Sequence, residues 1–159
     1  MKTNDYLKRI LTTRVYDVAI ESALDPAAGI SAAVNNNVLL KREDTQPVFS
    51  FKLRGAYNKM AHLTQAELNR GVICASAGNH AQGVALAAQR LNCTATIVMP
   101  LTTPAIKVNA VKARGANVVL HGDSFFEANT HANTLAAKKK MTFVHPYDDE
   151  AIVAGQGTV

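Results

Sequence analysis

A chain of 159 residues, 48% hydrophobic and 18% charged, can bury the core of one ordinary domain and is not a disordered tail. Its net charge of +5 is uneven: from Ser50 to Gly122 eight lysines and arginines stand against Glu67 alone, a lobe that draws anions. These basic residues are scattered singly, with only Phe51 and Tyr57 as aromatics in that span, which argues against nucleic acid, and no apolar run is long enough to span a membrane.

Taken in order, Asn4 or Asp5 is expected to cap a short amphipathic helix carrying Leu7, Ile10 and Leu11. The charged stretch Met1–Leu11 lacks the apolar run of a secretory signal. Arg14–Leu24 shows no clear period. Asn35-Asn36-Asn37 is a loop leading into the short apolar strand Val38-Leu39-Leu40, which ends in Lys41-Arg42-Glu43-Asp44, a charge run of the kind that usually lies in solvent. After a Gln46-Pro47 turn, Ser50 is the expected N-cap of a helix through about Leu63, with Leu53, Ala56, Tyr57 and Met60 along one side. Thr64-Gln65-Ala66-Glu67 is a capping box for a further short helix that Gly71 ends.

Four apolar, β-branched runs follow: Val72-Ile73-Cys74, Ala95–Val98, Asn117–Leu120 and Thr142-Phe143-Val144. Runs so uniformly apolar are buried on both faces, which predicts a parallel sheet. Helical segments separate them: the alanine-rich Asn79–Leu91, one opened by Thr103-Pro104 and closed by Gly115, and one capped by Asp123 or Ser124 that runs to Lys138–Lys140, where positive charge suits a C-terminus. The alternation predicts an α/β fold, a parallel sheet with flanking helices and right-handed crossovers. From Asp148 the chain reads as an acidic helix start that stops at Val159 without a cap, the pattern expected of a fragment or an interrupted reading frame. Cys74 and Cys93 lie in or beside apolar runs without metal-ligand spacing, so buried thiols in a reducing compartment, the cytoplasm, are expected.

Two stretches are candidates for chemistry, although a lone lysine is more often solvated and a polar turn of this kind is as often a helix cap as a ligand site. Ser50–Ala56 sets Lys52 beside the Phe51 ring at a helix start, and Ser76–Gly83 is a polar turn between an apolar strand and a helix. An amine that is to attack an aldehyde must be deprotonated near neutral pH, through desolvation and nearby positive charge, and Arg54 is the expected source of that charge. A turn that ends a parallel strand and opens a helix aims free N–H groups and the positive end of the helix dipole at an anion, and Gly78 allows close backbone approach. The five histidines show no metal-ligand spacing: His62, His121, His131 and His145 are dispersed and are expected at the surface or in loops. The Gly78 to Gly83 spacing lacks the Lys-Ser/Thr of a nucleotide-triphosphate loop.

With Lys41–Asp44, Gln46-Pro47, Ser50–Ala56 and Ser76–Gly83 all present, the chain resembles the threonine dehydratase (threonine ammonia-lyase) family, pyridoxal 5′-phosphate (PLP) enzymes of the tryptophan-synthase-β fold type. The resemblance implies that Lys52 bonds PLP and later removes the substrate α-proton, that Phe51 contacts the cofactor ring, and that Asn79 bonds its phenolic oxygen. Ser76, Ala77, Gly78, Asn79 and His80 would hold the carboxylate of a small amino acid, threonine first and serine as its nearest rival. Elimination of the β-hydroxyl would give a 2-oxo acid and ammonia, a step toward isoleucine, in an enzyme expected to be a homo-oligomer. By resemblance, residues 50–147 form the smaller lobe, while 1–49 and 148–159 belong to a larger lobe. The family's glycine-rich phosphate loop, the group that meets the pyridine nitrogen and the regulatory module of longer members would fall beyond Val159.

Three expectations follow. Val38-Leu39-Leu40 would be an unpaired edge. Ser22-Ala23-Leu24, where the family has Thr-Pro-Leu, would loosen a turn that Asp25-Pro26 partly restores. A non-catalytic isolated domain with at most weak PLP or anion binding is the alternative to the lyase.

Overall fold

The computed structural model describes residues 3–159, with side chains from Asp5 onward. The elements in order are α1 (Thr3–Leu11), β1 (Leu24–Pro26), α2 (Ala28–Val34), β2 (Leu39–Lys41), α3 (Lys52–Ala61), α4 (Gln65–Arg70), β3 (Val72–Ala75), α5 (Asn79–Arg90), β4 (Ala95–Met99), α6 (Ala105–Lys112), β5 (Asn117–Leu120), α7 (Phe125–Lys139), β6 (Thr142–Phe143) and α8 (Glu150–Gln156). Among the described residues no helix is long and apolar enough to cross a membrane.

The main sheet is parallel throughout, in the order β5-β4-β3-β6. Every residue of β3 and β4 is buried, as their unbroken apolar sequences require. Ile73 and Ile97, both fully enclosed, contribute about 1.5–3 kcal/mol each through burial alone. α3, α5 and α6 cover one face with Met60, Val84 and Val111, and α7 covers the other with Ala128 and Ala132 against Ile73 and Val98. After β3 the chain steps outward through β4 to β5 and then returns to place β6 on the opposite side of β3. Such a reversal opens a crevice at the carboxyl ends of the two strands that flank it, the usual ligand position in a sheet of this kind.

Local signals in the sequence account for three helix starts among the described residues. Thr64 with Glu67, and Ser124 with Glu127, form reciprocal capping boxes, and the Asp149 side chain accepts from the backbone of Ala151 and Ile152. Gly71 closes α4 at φ 86°, where a side chain would be strained. Other expectations need correction. Asn4 and Asp5 lie inside α1 rather than capping it. Phe51 holds the cap position of α3, and Ser50 serves it from one residue earlier, its Oγ accepting from the Lys52 amide at 3.2 Å. Pro104, not Thr103, precedes α6, and the buried Thr103 hydroxyl has no partner among the described residues. His121 and His131 are not dispersed: their rings stack 3.8 Å apart. Both cysteines are free thiols, Cys74 buried and Cys93 half-buried, and burial pushes each thiol's pKa up.

The amino-terminal segment departs furthest from expectation. β2 is not an unpaired edge: it pairs antiparallel with β1, Asp25 opposite Leu40, so Asp25-Pro26 is a strand end rather than a turn. Ser22 is not loosened either, since its hydroxyl donates to the buried Glu43 carboxylate and its carbonyl accepts from Lys41 Nζ at 2.7 Å. The same carboxylate receives Arg54 Nε at 2.7 Å and Nη2 at 2.8 Å, while Gln46 clips Ile20 through both its amide N–H and its carbonyl. Burial alone would raise the Glu43 pKa, but the hydrogen bonds from Arg54, Ser22 and Gln46 outweigh it and hold the carboxyl below the usual range. Arg54 also donates to Thr158 Oγ1 at 3.1 Å, so one buried guanidinium ties the amino-terminal segment, α3 and the residues after α8 together.

α8 completes this unit by crossing α3 at two glycines. A Cβ on Gly155 would sit 2.6 Å from Gly55 Cα, a separation that only glycine permits. Lys59 meets Asp149 at 2.6 Å, and Asn58 donates to the Ala151 carbonyl at 2.8 Å.

Candidate functional site

The first turn of α3 presents the Lys52 side chain to the carboxyl end of the sheet, where its Nζ donates to the Pro146 carbonyl at 2.9 Å. Pro146 lies three residues beyond the end of β6. The Ser76–Gly78 turn follows β3, the parallel neighbour of β6 with Ile73 opposite Phe143. The lysine and the polar turn, 24 or more residues apart in sequence, therefore lie at the same sheet edge, above the switch between β3 and β6.

Their approach is fixed at the backbone. Gly83, in the second turn of α5, lies against the start of α3: a Cβ there would sit 3.0 Å from the Lys52 carbonyl oxygen and 3.1 Å from the Leu53 nitrogen. Phe51 is 39% exposed, with Lys52 Nζ 5.5 Å from its ring centroid. Phe49, two residues earlier and also exposed, adopts φ 55°, a costly conformation for a bulky side chain and one that the sequence did not announce.

Within the turn, the Ser76 amide is taken up by the Val98 carbonyl and the Gly78 amide by Ser76 Oγ. The amides of Ala77, Asn79 and His80 have no acceptor among the described residues and stand at the positive end of the α5 dipole. A Cβ on Gly78 would meet nothing within 4 Å, so the space over this backbone is open. Asn79 is exposed at the first helical position.

His80 stands apart from the other turn residues. Its side chain is turned inward, the residue is only 4% exposed, and Nε2 lies 2.9 Å from the Val144 carbonyl oxygen. A carbonyl only accepts, so Nε2 carries the proton. Burial pushes the imidazole pKa down to about 4, against the opposing effect of this hydrogen bond, and nearby Lys52 lowers it further. The ring is neutral at physiological pH, and only the His80 backbone amide is left for an anion.

Arg54, expected to lend positive charge to Lys52, is instead committed to Glu43. Glu43 itself was missed because Lys41, Arg42 and Asp44 around it carry the same signature of a solvated charge run. Pro146 and Gly83 were missed as well, although a switch point in a parallel sheet directs attention to the carboxyl end of each flanking strand.

An amine at a half-buried edge, open space above a glycine, unpaired amides at a helix start and an exposed asparagine fit an aldehyde cofactor with an anionic partner. Residues 17–159 match the family model described as pyridoxal-phosphate dependent enzyme. The chain is 57% identical to the biosynthetic L-threonine dehydratase of Burkholderia multivorans, across 100% of this chain and 32% of that protein. It is 60% identical to the threonine dehydratase of Nicotiana attenuata, across 97% of this chain and 26% of that protein. The fold is similar to the processed form of threonine deaminase isoform 2 from Solanum lycopersicum, with a TM-score of 0.94 and 56% identity, covering 99% of this chain and 47% of that one. Maize serine racemase is similar at a TM-score of 0.90 and 29% identity, covering 97% of this chain and 46% of that one. The chain thus spans about a quarter to a third of the curated relatives. Because the family match runs from before β1 through the last helix, the assignment rests on the architecture as well as on two motifs, and the chain belongs to the family of pyridoxal-phosphate-dependent enzymes.

Proposed function

We propose that this chain carries the lysine-bearing part of a threonine ammonia-lyase, which converts threonine, and serine as a second substrate, to a 2-oxo acid and ammonia. The activity is proposed for a polypeptide of the relatives' length. The observation that carries the reading is the Lys52 amine held on the Pro146 carbonyl beside the Ser76–Asn79 turn.

Lys52, Phe51 and Asn79 would hold the cofactor, through a covalent bond, ring contact and a carboxamide hydrogen bond respectively. When bound, PLP supplies an aldehyde for an amine and a conjugated ring that accepts the electron pair left when a Cα–H bond breaks. The amides of Ala77, Asn79 and His80 would bind the substrate carboxylate, with Ser76 and Gly78 shaping the turn around it. That contact fixes the substrate Cα near Lys52 Nζ, and the lysine, released from Pro146, takes the α-proton. Departure of the β-hydroxyl as water, then hydrolysis, gives 2-oxobutanoate and ammonia from threonine.

A role at the first committed step toward isoleucine is part of the proposal, supported by the word biosynthetic in the names of bacterial relatives. A cytoplasmic location is supported by two free cysteines. Homo-oligomeric assembly of the longer polypeptide is part of the proposal by resemblance to the family.

The test joins this chain to the remaining length of the Burkholderia relative and follows 2-oxo acid release from threonine. The chimera should turn over, and Lys52→Ala should abolish turnover. Equal activity with and without the Lys52 amine would overturn the reading.

A further inference from the structure

The segment that receives the Lys52 amine is weakly held by the sheet. β6 has two residues, and its ladder ends where the Val144 amide donates to the Ile73 carbonyl at 2.9 Å. Beyond that point the chain turns away through His145 and Pro146, and proline has no N–H to give. His145 Nδ1 caps the next bend by accepting from the amides of Tyr147, at 3.3 Å, and Asp148, at 2.7 Å. Between the ladder and that bend, the Val144 carbonyl is fixed by the His80 imidazole and the Pro146 carbonyl by Lys52.

We propose that His80 is a positioning residue for Lys52: by donating from Nε2 to the Val144 carbonyl, it sets the strand end whose Pro146 carbonyl parks the lysine amine. His80 is rigid enough for this. It is enclosed between α5 and the sheet, one helical turn from Gly83, which packs on the Lys52 backbone. Both ends of the lysine are thereby referred to α5, its backbone through Gly83 and its amine through His80 and the 144–146 segment. The imidazole stays neutral because burial holds its pKa to about 4, so the N–H is available throughout the neutral range. The role differs from carboxylate binding, since the His80 ring is buried and its N–H is committed to the Val144 carbonyl. The proposal rests on the reading of Lys52 as the cofactor lysine.

Two amide variants of the full chain separate positioning from bulk packing. In His80→Gln the side-chain N–H reaches the place of Nε2, whereas in His80→Asn it reaches only the place of Nδ1 and cannot meet Val144. The primary readout needs no cofactor: the rate of reductive methylation of Lys52, resolved by mass spectrometry against Lys107 and Lys112 as internal references. His80→Asn should raise the relative Lys52 rate about fivefold, the effect of one lost hydrogen bond, and His80→Gln should return it to near the parent value. With PLP added, the visible absorbance band should follow the same order. Equal Lys52 rates in the two variants, or a His80→Asn rate no higher than the parent's, would overturn the proposal. Failure of the chimera with the Burkholderia relative to take up PLP at Lys52 would instead sink the functional reading, and the methylation contrast would still decide whether His80 positions the lysine.

Discussion

Gly83 and Lys52 meet backbone to backbone: a Cβ on the glycine would lie 3.0 Å from the lysine carbonyl oxygen, with the Leu53 nitrogen 3.1 Å away. Main-chain atoms at the start of a helix cannot swing aside as a side-chain tip can. Gly83→Ala should therefore destabilise by about 1–3 kcal/mol, although alanine is the better helix former by about 1 kcal/mol. Gly29, in α2 with open space around it, is the control, and Gly29→Ala should stabilise by about 0.5 kcal/mol. Denaturant midpoints of the two variants should move in opposite directions.

Arg54→Met should cost about 3–5 kcal/mol, because it leaves the Glu43 carboxylate nearly enclosed and without its cation. The Glu43 pKa is depressed in the fold, so its contribution is present above the unfolded pKa and is lost as pH falls through the folded one. Glu43→Gln should accordingly flatten the acid limb of the stability profile. Thermal melts from pH 7 down to pH 3 check both variants.

The α3–α8 crossing depends on Gly155, whose added Cβ would lie 2.6 Å from Gly55 Cα and 2.7 Å from the Arg54 carbonyl oxygen. Gly155→Val should cost about 3 kcal/mol and release α8. Hydrogen exchange should then show the amides of α8 losing protection before those of β3 and β4.

His80 links the site to acid stability. Its folded pKa, about 4, lies below its ordinary value of 6.5, so the unfolded chain binds the proton first and stability falls as pH drops from about 6.5 to about 4. The full loss is up to roughly 3 kcal/mol at about 1.4 kcal/mol per pKa unit. His80→Gln, which cannot titrate, should remove that part of the pH dependence, as read from the same melts.

How much of this was legible in the sequence follows from how local each signal is. β3 and β4 were readable because burial on both faces leaves an unbroken apolar run, β5 from its apolar run although it is an edge strand with exposed ends, and Thr64, Ser124 and the acidic start of α8 because a cap is made within three or four residues. The pairing of β1 with β2 was not readable: three residues ending in proline give no period, and their partner lies across α2. Glu43 read as part of a solvated charge run and Arg54 as a charge for Lys52, because their mutual burial is a relation between residues 11 apart. Lys52 and the Ser76–Asn79 turn could be named from motifs, but Pro146, which receives the amine, is 94 residues from Lys52 and has no signature of its own.

The central claim is that the Lys52 amine is the group that bonds an aldehyde cofactor at the edge between β3 and β6. The most direct measurement is to join the chain to the remaining length of the Burkholderia relative, add PLP, reduce with borohydride and map the modified lysine by mass spectrometry, with Lys52→Ala alongside. The account predicts a visible absorbance band and label concentrated on Lys52, both lost in Lys52→Ala. Label spread evenly over the surface lysines, with the band unchanged in the variant, would contradict it.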